Sequence, residues 1–195
     1  LADIGGFLKD PSLTDAGLTE GDFAEAGLDF AKDDSGTLHS LPFSVDYWIV
    51  YWNKELFEQK GLQYPATFEE MAKAAEALTD KDAGIFGFVA RGIKNPNKSR
   101  VVGKVGYGVM PKGPSAHASG TFGDGIGVTA ASGKKEAAYL FCQWAVSPLM
   151  GARLLQAGAG VPFRKSVLGD PKVREGVTMP GEWVDAVAGS GEISR

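Results

Sequence analysis

The sequence predicts an α/β domain with a partly parallel sheet, and three consecutive stretches carry this prediction. "DYWIVYW" (residues 46–52) is dense in β-branched and aromatic residues, as strands are. "TFEEMAKAAEALTD" (67–80) repeats apolar residues on one helical face, and "GIFGFVA" (84–90) is a short apolar run typical of a buried strand. Strand, helix and strand in alternation indicate an α/β sheet.

The first ninety residues can be assigned in order. Residues 1–40 are rich in Gly, Asp and Thr, and they predict a surface layer with brief helices. The runs "TLHSLPF" and "DYWIVYW" predict two extended pieces with a break around Pro42, so that Asp46 lies where one strand enters the next. Trp48 and Trp52 share one alternation face, which predicts that both pack in the core.

Two helices follow, each with local start and stop signals. Asn53 is expected to cap a helix over 54–60, with Gly61 as its C′ residue. Thr67 and Glu70 have the spacing of a capping box at the start of the second helix.

The character of the chain changes after residue 90. Residues 91–107 are polar and turn-rich, which predicts a boundary near 91–100 between segments 1–97 and 98–195. The Gly/Ser-rich stretch 111–132 is expected to form loops around one strand, "GIGVTA" (125–130).

Two further helices are predicted near the end of the chain. Ser132 is expected to cap the first, and Ser147 with Pro148 begins the second, which ends at Gly158. The first helix carries a stripe expected to face the core, formed by Ala137, Leu140, Phe141 and Trp144.

Composition excludes several classes of function. The formal net charge of −4, with basic residues thinly spread, offers no face for nucleic acid. No apolar run reaches the roughly 20 residues that span a bilayer, and the first residues lack the pattern of a secretory signal. The lone Cys142 lies among apolar neighbours and is expected to be a buried, inert thiol. With only His39 and His117, the sequence predicts no metal site, and no cofactor is expected.

Catalytic patterns are mostly missing from the sequence. It contains no nucleophile elbow, no phosphate loop and no H-E-x-x-H motif. Asp46 and Asp124 could form the carboxylate pair of a small glycoside-processing enzyme. Aromatic surface beside hydrogen-bonding acids also suits sugar binding without reaction, because a sugar ring offers an apolar face and hydroxyl edges.

Several ordered motifs together resemble one family. They are Leu41-Pro42, "YWNKELF" (51–57), "GLQYPATFEE" (61–70), "GIFGF" (84–88), "GKVGYGVMPKG" (103–113) and "GVPFRKS" (160–166). In this order and spacing they resemble the extracellular solute-binding proteins of ABC importers, specifically the carbohydrate-binding family that includes maltose-binding protein. The resemblance covers about 37–173 in separate blocks.

The resemblance implies a fold and a function. The expected fold is that of a type II periplasmic-binding protein, with two lobes and a hinge. It would be incomplete here, because the family's first strand–helix–strand unit and a long helical segment near 91–100 have no counterpart. The implied protein is not an enzyme. It is periplasmic or extracellular, monomeric, and associated with the membrane through the transporter or a lipid anchor outside this chain. It would bind a sugar, oligosaccharide or polyol between the lobes and deliver it to a membrane permease. A truncated lobe that serves as an interaction module stays as a further alternative.

The resemblance also implies contact residues. Asp46 matches the family position that reaches the sugar at the head of a strand, with Ser44 and Tyr47 beside it. Arg91 matches an arginine that binds ligand hydroxyls. The family's aromatic loop residue is replaced here by Phe122 or Asp124. Arg164 matches a family arginine whose role is structural or ligand-binding.

Overall fold

The computed structural model describes residues 1–88 and 105–194, in which the chain forms two compact units. Unit 1 contains Leu1–Tyr47 and Gly120–Thr178, together with Ser194. Unit 2 contains Trp48–Ser119 and Met179–Ile193. The predicted junction at 91–100 lies outside the described residues, so the division into 1–97 and 98–195 stays a prediction.

The helices and strands follow one another in this chain order: α1 (Gly5–Leu8), a 3-10 helix (Glu20–Asp22), α2 (Glu25–Ala31), β1 (Ser40–Tyr47), β2 (Ile49–Asn53), α3 (Lys54–Gln59), α4 (Phe68–Leu78), β3 (Val105–Val109), β4 (Thr121–Gly127), α5 (Lys135–Ala145), α6 (Pro148–Gln156), β5 (Val161–Pro162), α7 (Lys165–Gly169), α8 (Pro171–Glu175) and α9 (Gly181–Ile193). Within the described ranges no helix has the length and apolarity that crossing a membrane requires.

Unit 1 is built on the sheet β4-β1-β5, with β1 in the centre. Both pairings are antiparallel, and so is the β2–β3 pairing of unit 2, so the prediction of a partly parallel sheet is wrong for the described strands. The break between the predicted strands falls at Trp48, because the chain stays extended through Pro42 and only the register shifts there. Pro42 is tolerated inside β1 at this irregularity, where a bulge relieves the need for a ladder hydrogen bond.

Helix α5 buries a different face from the one the sequence predicts. Its predicted stripe is exposed in part: Leu140, Phe141 and Trp144 are 43%, 58% and 51% exposed. Tyr139 and Gln143 lie inside instead, because the Tyr139 hydroxyl is 2.7 Å from Thr14 Oγ1 and Gln143 Oε1 accepts from the Asp15 amide at 2.9 Å. Polar anchors that are distant in sequence therefore set the rotation of this helix.

The thiol prediction is confirmed, since Cys142 is buried on the inner face of α5 and burial raises its pKa.

Unit 2 combines the β2–β3 pair with helices α3, α4 and α9. Trp52 packs against Phe57, with 4.9 Å between ring centroids, and against the core of Ala74 and Leu78. The prediction for Trp52 is confirmed in part, since the indole is partly buried and packs against this core. The same prediction is wrong for Trp48, which lies between β1 and β2 and is 46% exposed.

Three predicted helix starts are confirmed. Asn53 Oδ1 accepts from the Leu56 amide at 3.1 Å, Thr67 and Glu70 form a capping box, and Ser147 Oγ accepts from the Met150 amide. Ser132 does not cap α5, because it lies two residues before the N-cap residue Lys134, whose own amide donates to the Ser132 hydroxyl.

The predicted strand at 84–90 is absent from its described part. Ile85 forms only an isolated bridge with Asp80, and Phe86 and Phe88 are 71% and 56% exposed. The apolar run lacks a neighbouring strand among the described residues, and a strand needs one to satisfy its backbone.

An ion pair near the start of unit 1 predicts a pH-dependent stability. His39 Nε2 lies 2.8 Å from Asp33 Oδ2, and Nδ1 lies 3.2 Å from the Ala2 carbonyl. The Asp33 hydrogen bond, then the Ala2 carbonyl, raise the pKa of His39. Hydrogen bonds from Ser35, then His39 and Thr37, hold the pKa of Asp33 far below its usual range.

The signs of these shifts define a pH window. The raised pKa of His39 gives stability that is full below the unfolded-state value of about 6.5 and is lost as the pH rises through the folded-state value. The lowered pKa of Asp33 gives stability that is present above about pH 4 and falls away below it. The urea midpoint of the wild type minus that of His39→Gln should be larger at pH 5.5 than at pH 8.5. Equal midpoint differences at the two pH values would contradict this.

Candidate functional site

Four of the predicted site residues line one shallow cavity in unit 1. The cavity has a volume of about 140 Å³ and is lined by Ser44, Val45, Asp46, Phe122, Gly123 and Asp124. These residues come from two adjacent strands, β1 and β4. Segments nearly eighty residues apart in the chain are thus brought together by one strand pairing.

The register of the two strands explains why these side chains meet. Ser44 is paired with Asp124, and Asp46 with Phe122, across the antiparallel ladder. Directly paired residues point to the same side of a sheet, and so do residues two apart on one strand. Ser44, Asp46, Phe122 and Asp124 therefore share one face, which we call the ligand face.

The ligand face is polar and open. Ser44 Oγ donates to Asp124 Oδ2 at 3.3 Å, Asp46 is exposed, and the Phe122 side chain is 59% exposed. Asp46 and Asp124 are diagonal neighbours, a relation that places Cα atoms about 7–8 Å apart. Among the described residues, the cavity lining contains no lysine or arginine.

The opposite face of the same strands is packed. Val45 is 2% exposed, and its partner Gly123 has no room for a side chain, because a Cβ there would lie 2.5 Å from Phe163 Cζ. The strands thus have one face in the core and one available to a ligand, as is common for antiparallel sheets.

Tyr47 does not line the cavity. It follows Asp46 directly and is paired with Thr121, so its side chain points to the face opposite the ligand face. Burial raises the pKa of its phenol to about 12.

The two arginines of the predicted site are not brought to the ligand face. Arg91 lies outside the described residues. Arg164 is 5% exposed, and its guanidinium donates to the carboxylate of Asp22 at 2.6 Å and to the carbonyls of Gly17 at 2.7 Å and Val146 at 3.3 Å. All three partners belong to unit 1, and none of them lines the cavity.

Sequence reasoning missed the part that glycine plays in β4. Gly123, Gly125 and Gly127 alternate along the strand, and a Cβ on each would lie within 2.6 Å of a neighbouring atom. The glycine-rich composition predicts loops around one strand at 125–130, whereas β4 spans Thr121–Gly127. The alternation of the glycines is the signal of a strand approached closely on one face.

A second cavity, of about 240 Å³, lies in unit 2 and is apolar. Its lining includes Trp52, Phe57, Tyr64, Met71 and Phe86. Such a surface offers few groups to a polar ligand, so the ligand face of unit 1 is the better candidate. In the described ranges no cluster of His, Cys, Asp or Glu could hold a metal ion.

Comparison with known proteins finds similarity to solute-binding proteins. Residues 8–96 match the bacterial extracellular solute-binding protein family. A mannitol-binding protein of Pseudomonas aeruginosa is 35% identical over 77 residues, which cover 33% of this chain and 18% of that protein. A Sinorhizobium fredii protein named "Probable amino-acid ABC transporter periplasmic-binding protein y4oP" is 33% identical over 110 residues, which cover 56% of this chain and 23% of that protein. The chain thus matches less than a quarter of the length of these relatives.

Solved structures share the fold. An ABC transporter solute-binding protein of Agrobacterium radiobacter K84, in complex with ribitol, superposes with a TM-score of 0.75 at 22% identity. The match covers 98% of this chain and 68% of that one. Maltose-bound MalE3 of T. maritima gives a TM-score of 0.68 at 16% identity, with 99% and 70% covered. The periplasmic-binding-protein fold expected from the sequence is therefore confirmed.

Proposed function

We propose that this chain is a bacterial extracellular solute-binding protein, the family whose model matches residues 8–96. In this proposal it is the substrate-binding component of an ABC importer and captures a sugar, oligosaccharide or polyol. The protein would act outside the cytoplasmic membrane and release its ligand to the membrane permease. The observation that carries the proposal is the ligand face, where two carboxylates, a hydroxyl and an exposed aromatic ring surround one cavity.

The chemistry of this face suits a neutral polyhydroxyl ligand. Ionised carboxylates accept hydrogen bonds only, so Asp46 and Asp124 can each receive the O–H groups of a sugar or polyol. The exposed ring of Phe122 can stack on the apolar C–H surface of the same molecule. Hydrogen bonds to charged acceptors contribute about 1.5–3 kcal/mol each, which makes the two carboxylates the main source of affinity.

An amino acid is a poorer match, although one relative carries that name. Its α-carboxylate needs cationic or N–H donors, and the described lining provides two acids instead. Like charges brought together in a binding site cost affinity. The mannitol- and ribitol-binding relatives have ligands of the favoured class.

The remaining predicted residues take different parts in this proposal. Arg91 is retained as a predicted ligand contact. Tyr47 supports the strand from its opposite face, and we assign Arg164 to the interior framework of unit 1. The glycoside-processing alternative fits the diagonal relation of Asp46 and Asp124, but solute-binding proteins act without catalysis.

The proposal is tested by titrating the protein with D-mannitol, ribitol and maltose in a calorimeter. At least one should bind, and a concentration of 100 Kd should stabilise the fold by about 2.7 kcal/mol. None should be consumed on incubation, because a binding protein makes no product. The proposal fails if none of the three stabilises the protein, or if maltose is cleaved.

Asp46→Asn is expected to weaken binding of the best probe by about 10- to 100-fold, the equivalent of one hydrogen bond to a charged acceptor. The matched control is Asp29→Asn, because Asp29 is an exposed carboxylate of α2 that does not line the cavity. Calorimetric titration measures both variants. An equal loss of affinity in Asp46→Asn and Asp29→Asn would contradict the role of Asp46.

A further inference from the structure

The ring of Phe163 lies buried between helix α2 and strand β4, directly behind the ligand face. It is 1% exposed and follows β5 in the chain. A Cβ atom on Gly27 of α2 would lie 2.7 Å from its Cδ1, and one on Gly123 of β4 would lie 2.5 Å from its Cζ. Such distances are far below van der Waals contact, so the ring occupies the space that two missing side chains leave.

The ring is also fixed in other directions. Phe30 of α2 packs against it with 5.4 Å between centroids, and the Phe163 carbonyl accepts from the Ala24 amide at 3.1 Å. The neighbouring residue Pro162 is paired with Ser44 in the sheet. The segment that carries the ring thus also adjoins the backbone of a ligand-face residue.

Gly123 connects this ring to the cavity. It separates Phe122 and Asp124, which both line the cavity, while its own backbone rests on the ring. Close-packed interiors transmit displacement, so a shift of the ring moves Gly123 and both of its neighbours.

We propose that Phe163 is a positioning residue for the ligand, because its ring, held between Gly27 and Gly123, sets the place of Phe122 and Asp124 opposite Asp46 and Ser44. This inference rests on the proposed function. The ring acts through β4 and does not touch the ligand itself. A ring that served packing alone would affect the free energy of unfolding and leave the affinity of the folded protein unchanged.

The test adds a methyl group at Gly27 of α2, on the side of the Phe163 ring that faces away from β4. Gly27 does not line the cavity, and the three heavy atoms nearest to a Cβ at this position all belong to the Phe163 ring, so Gly27→Ala acts first on that ring. We expect Gly27→Ala to weaken binding of whichever probe the wild type binds, ribitol, D-mannitol or maltose, by about 3- to 10-fold. In the absence of ligand, we also expect the ¹H–¹⁵N chemical shifts of the Phe122 and Asp124 amides to differ between Gly27→Ala and the wild type. The double variant Gly27→Ala with Phe163→Leu should recover most of the affinity, because leucine is shorter than the ring.

Tyr139→Phe serves as the control, because it removes the contact between the tyrosine hydroxyl and Thr14 elsewhere in unit 1. Tyr139→Phe should lower the denaturation midpoint. It should change neither the affinity for the probe nor the chemical shifts of the Phe122 and Asp124 amides. Unchanged affinity and unmoved amides in folded Gly27→Ala would overturn the inference. If Gly27→Ala does not fold, Phe163→Leu alone should show the weaker binding and shifted amides, and wild-type behaviour of that variant would overturn it. If the wild type binds no probe, the proposed function fails and the positioning role fails with it, whereas unchanged affinity in folded Gly27→Ala overturns the positioning role alone.

Discussion

Replacing Arg164 with alanine should lower the free energy of unfolding by about 3 kcal/mol, because removing one partner of a buried ion pair strands the other. Arg164 is 5% exposed, and its ion pair with Asp22 has a 2.6 Å separation. Its guanidinium also satisfies the carbonyls of Gly17 and Val146. The loss should be near the lower end of the range for buried pairs, since the Asp22 side chain keeps 16% exposure and two hydrogen bonds from Ser166.

The decrease in the free energy of unfolding caused by Arg164→Ala should be smaller at acid pH. Partial burial raises the pKa of Asp22, but hydrogen bonds from Ser166 and Arg164 outweigh burial and hold it below the ordinary value. A lowered pKa gives stability that is present above about pH 4 and is lost as the pH falls through the folded-state pKa. Urea denaturation at pH 7 and pH 3 measures both effects.

Lys32→Ala provides the matched comparison. Lys32 forms an ion pair of the same 2.6 Å length with Glu20, but the two side chains are 31% and 40% exposed. Exposed pairs contribute at most about 1 kcal/mol, so this variant should stay near the wild type. If Arg164→Ala costs no more than Lys32→Ala, the framework role of Arg164 is wrong.

Replacing Gly106 with alanine should cost about 2–3 kcal/mol, because the added methyl group overpacks the core of unit 2. A Cβ atom there would lie 2.1 Å from Trp52 Cε2. The indole cannot turn away easily, since its ring centroid is 4.9 Å from that of Phe57 and 5.9 Å from that of Tyr64. Gly108→Ala should behave in the same way, because its Cβ would lie 2.2 Å from Tyr64 Cζ.

The control is Gly133→Ala, because nothing lies within 4 Å of a Cβ at Gly133. That variant should change stability by no more than about 0.5 kcal/mol. Chemical denaturation followed by tryptophan fluorescence measures all three variants. A wild-type midpoint for Gly106→Ala would contradict the packing of Trp52 on β3.

Local signals were sufficient for the features that depend on a few neighbouring residues. Asn53, Thr67 and Ser147 cap their helices as expected, because a cap is decided by the side chain and the next three amides. The rotation of α5 was not predictable in this way. Its buried face is fixed by Thr14 and Asp15, more than a hundred residues away in the chain.

In the candidate site too, the chemistry of the residues could be predicted from the sequence, whereas their placement depends on distant parts of the chain. Asp46 and Asp124 could be proposed together from their chemistry, but only the pairing of β1 with β4 puts them on one face. Tyr47 differs from Asp46 by one position, and in a strand one position means the opposite face. Arg164 could not be assigned by its motif, because its role depends on Asp22 and on carbonyls from two other segments.

The central claim is that the ligand face of unit 1 binds a polyhydroxyl ligand. The most direct measurement is a titration of the ¹⁵N-labelled protein with D-mannitol and ribitol, followed by ¹H–¹⁵N spectra. We predict saturable shifts in unit 1 that are largest at the amides of Ser44, Asp46, Phe122 and Asp124. Saturable binding that leaves these four amides unmoved, or spectra unchanged by either polyol, would contradict the claim.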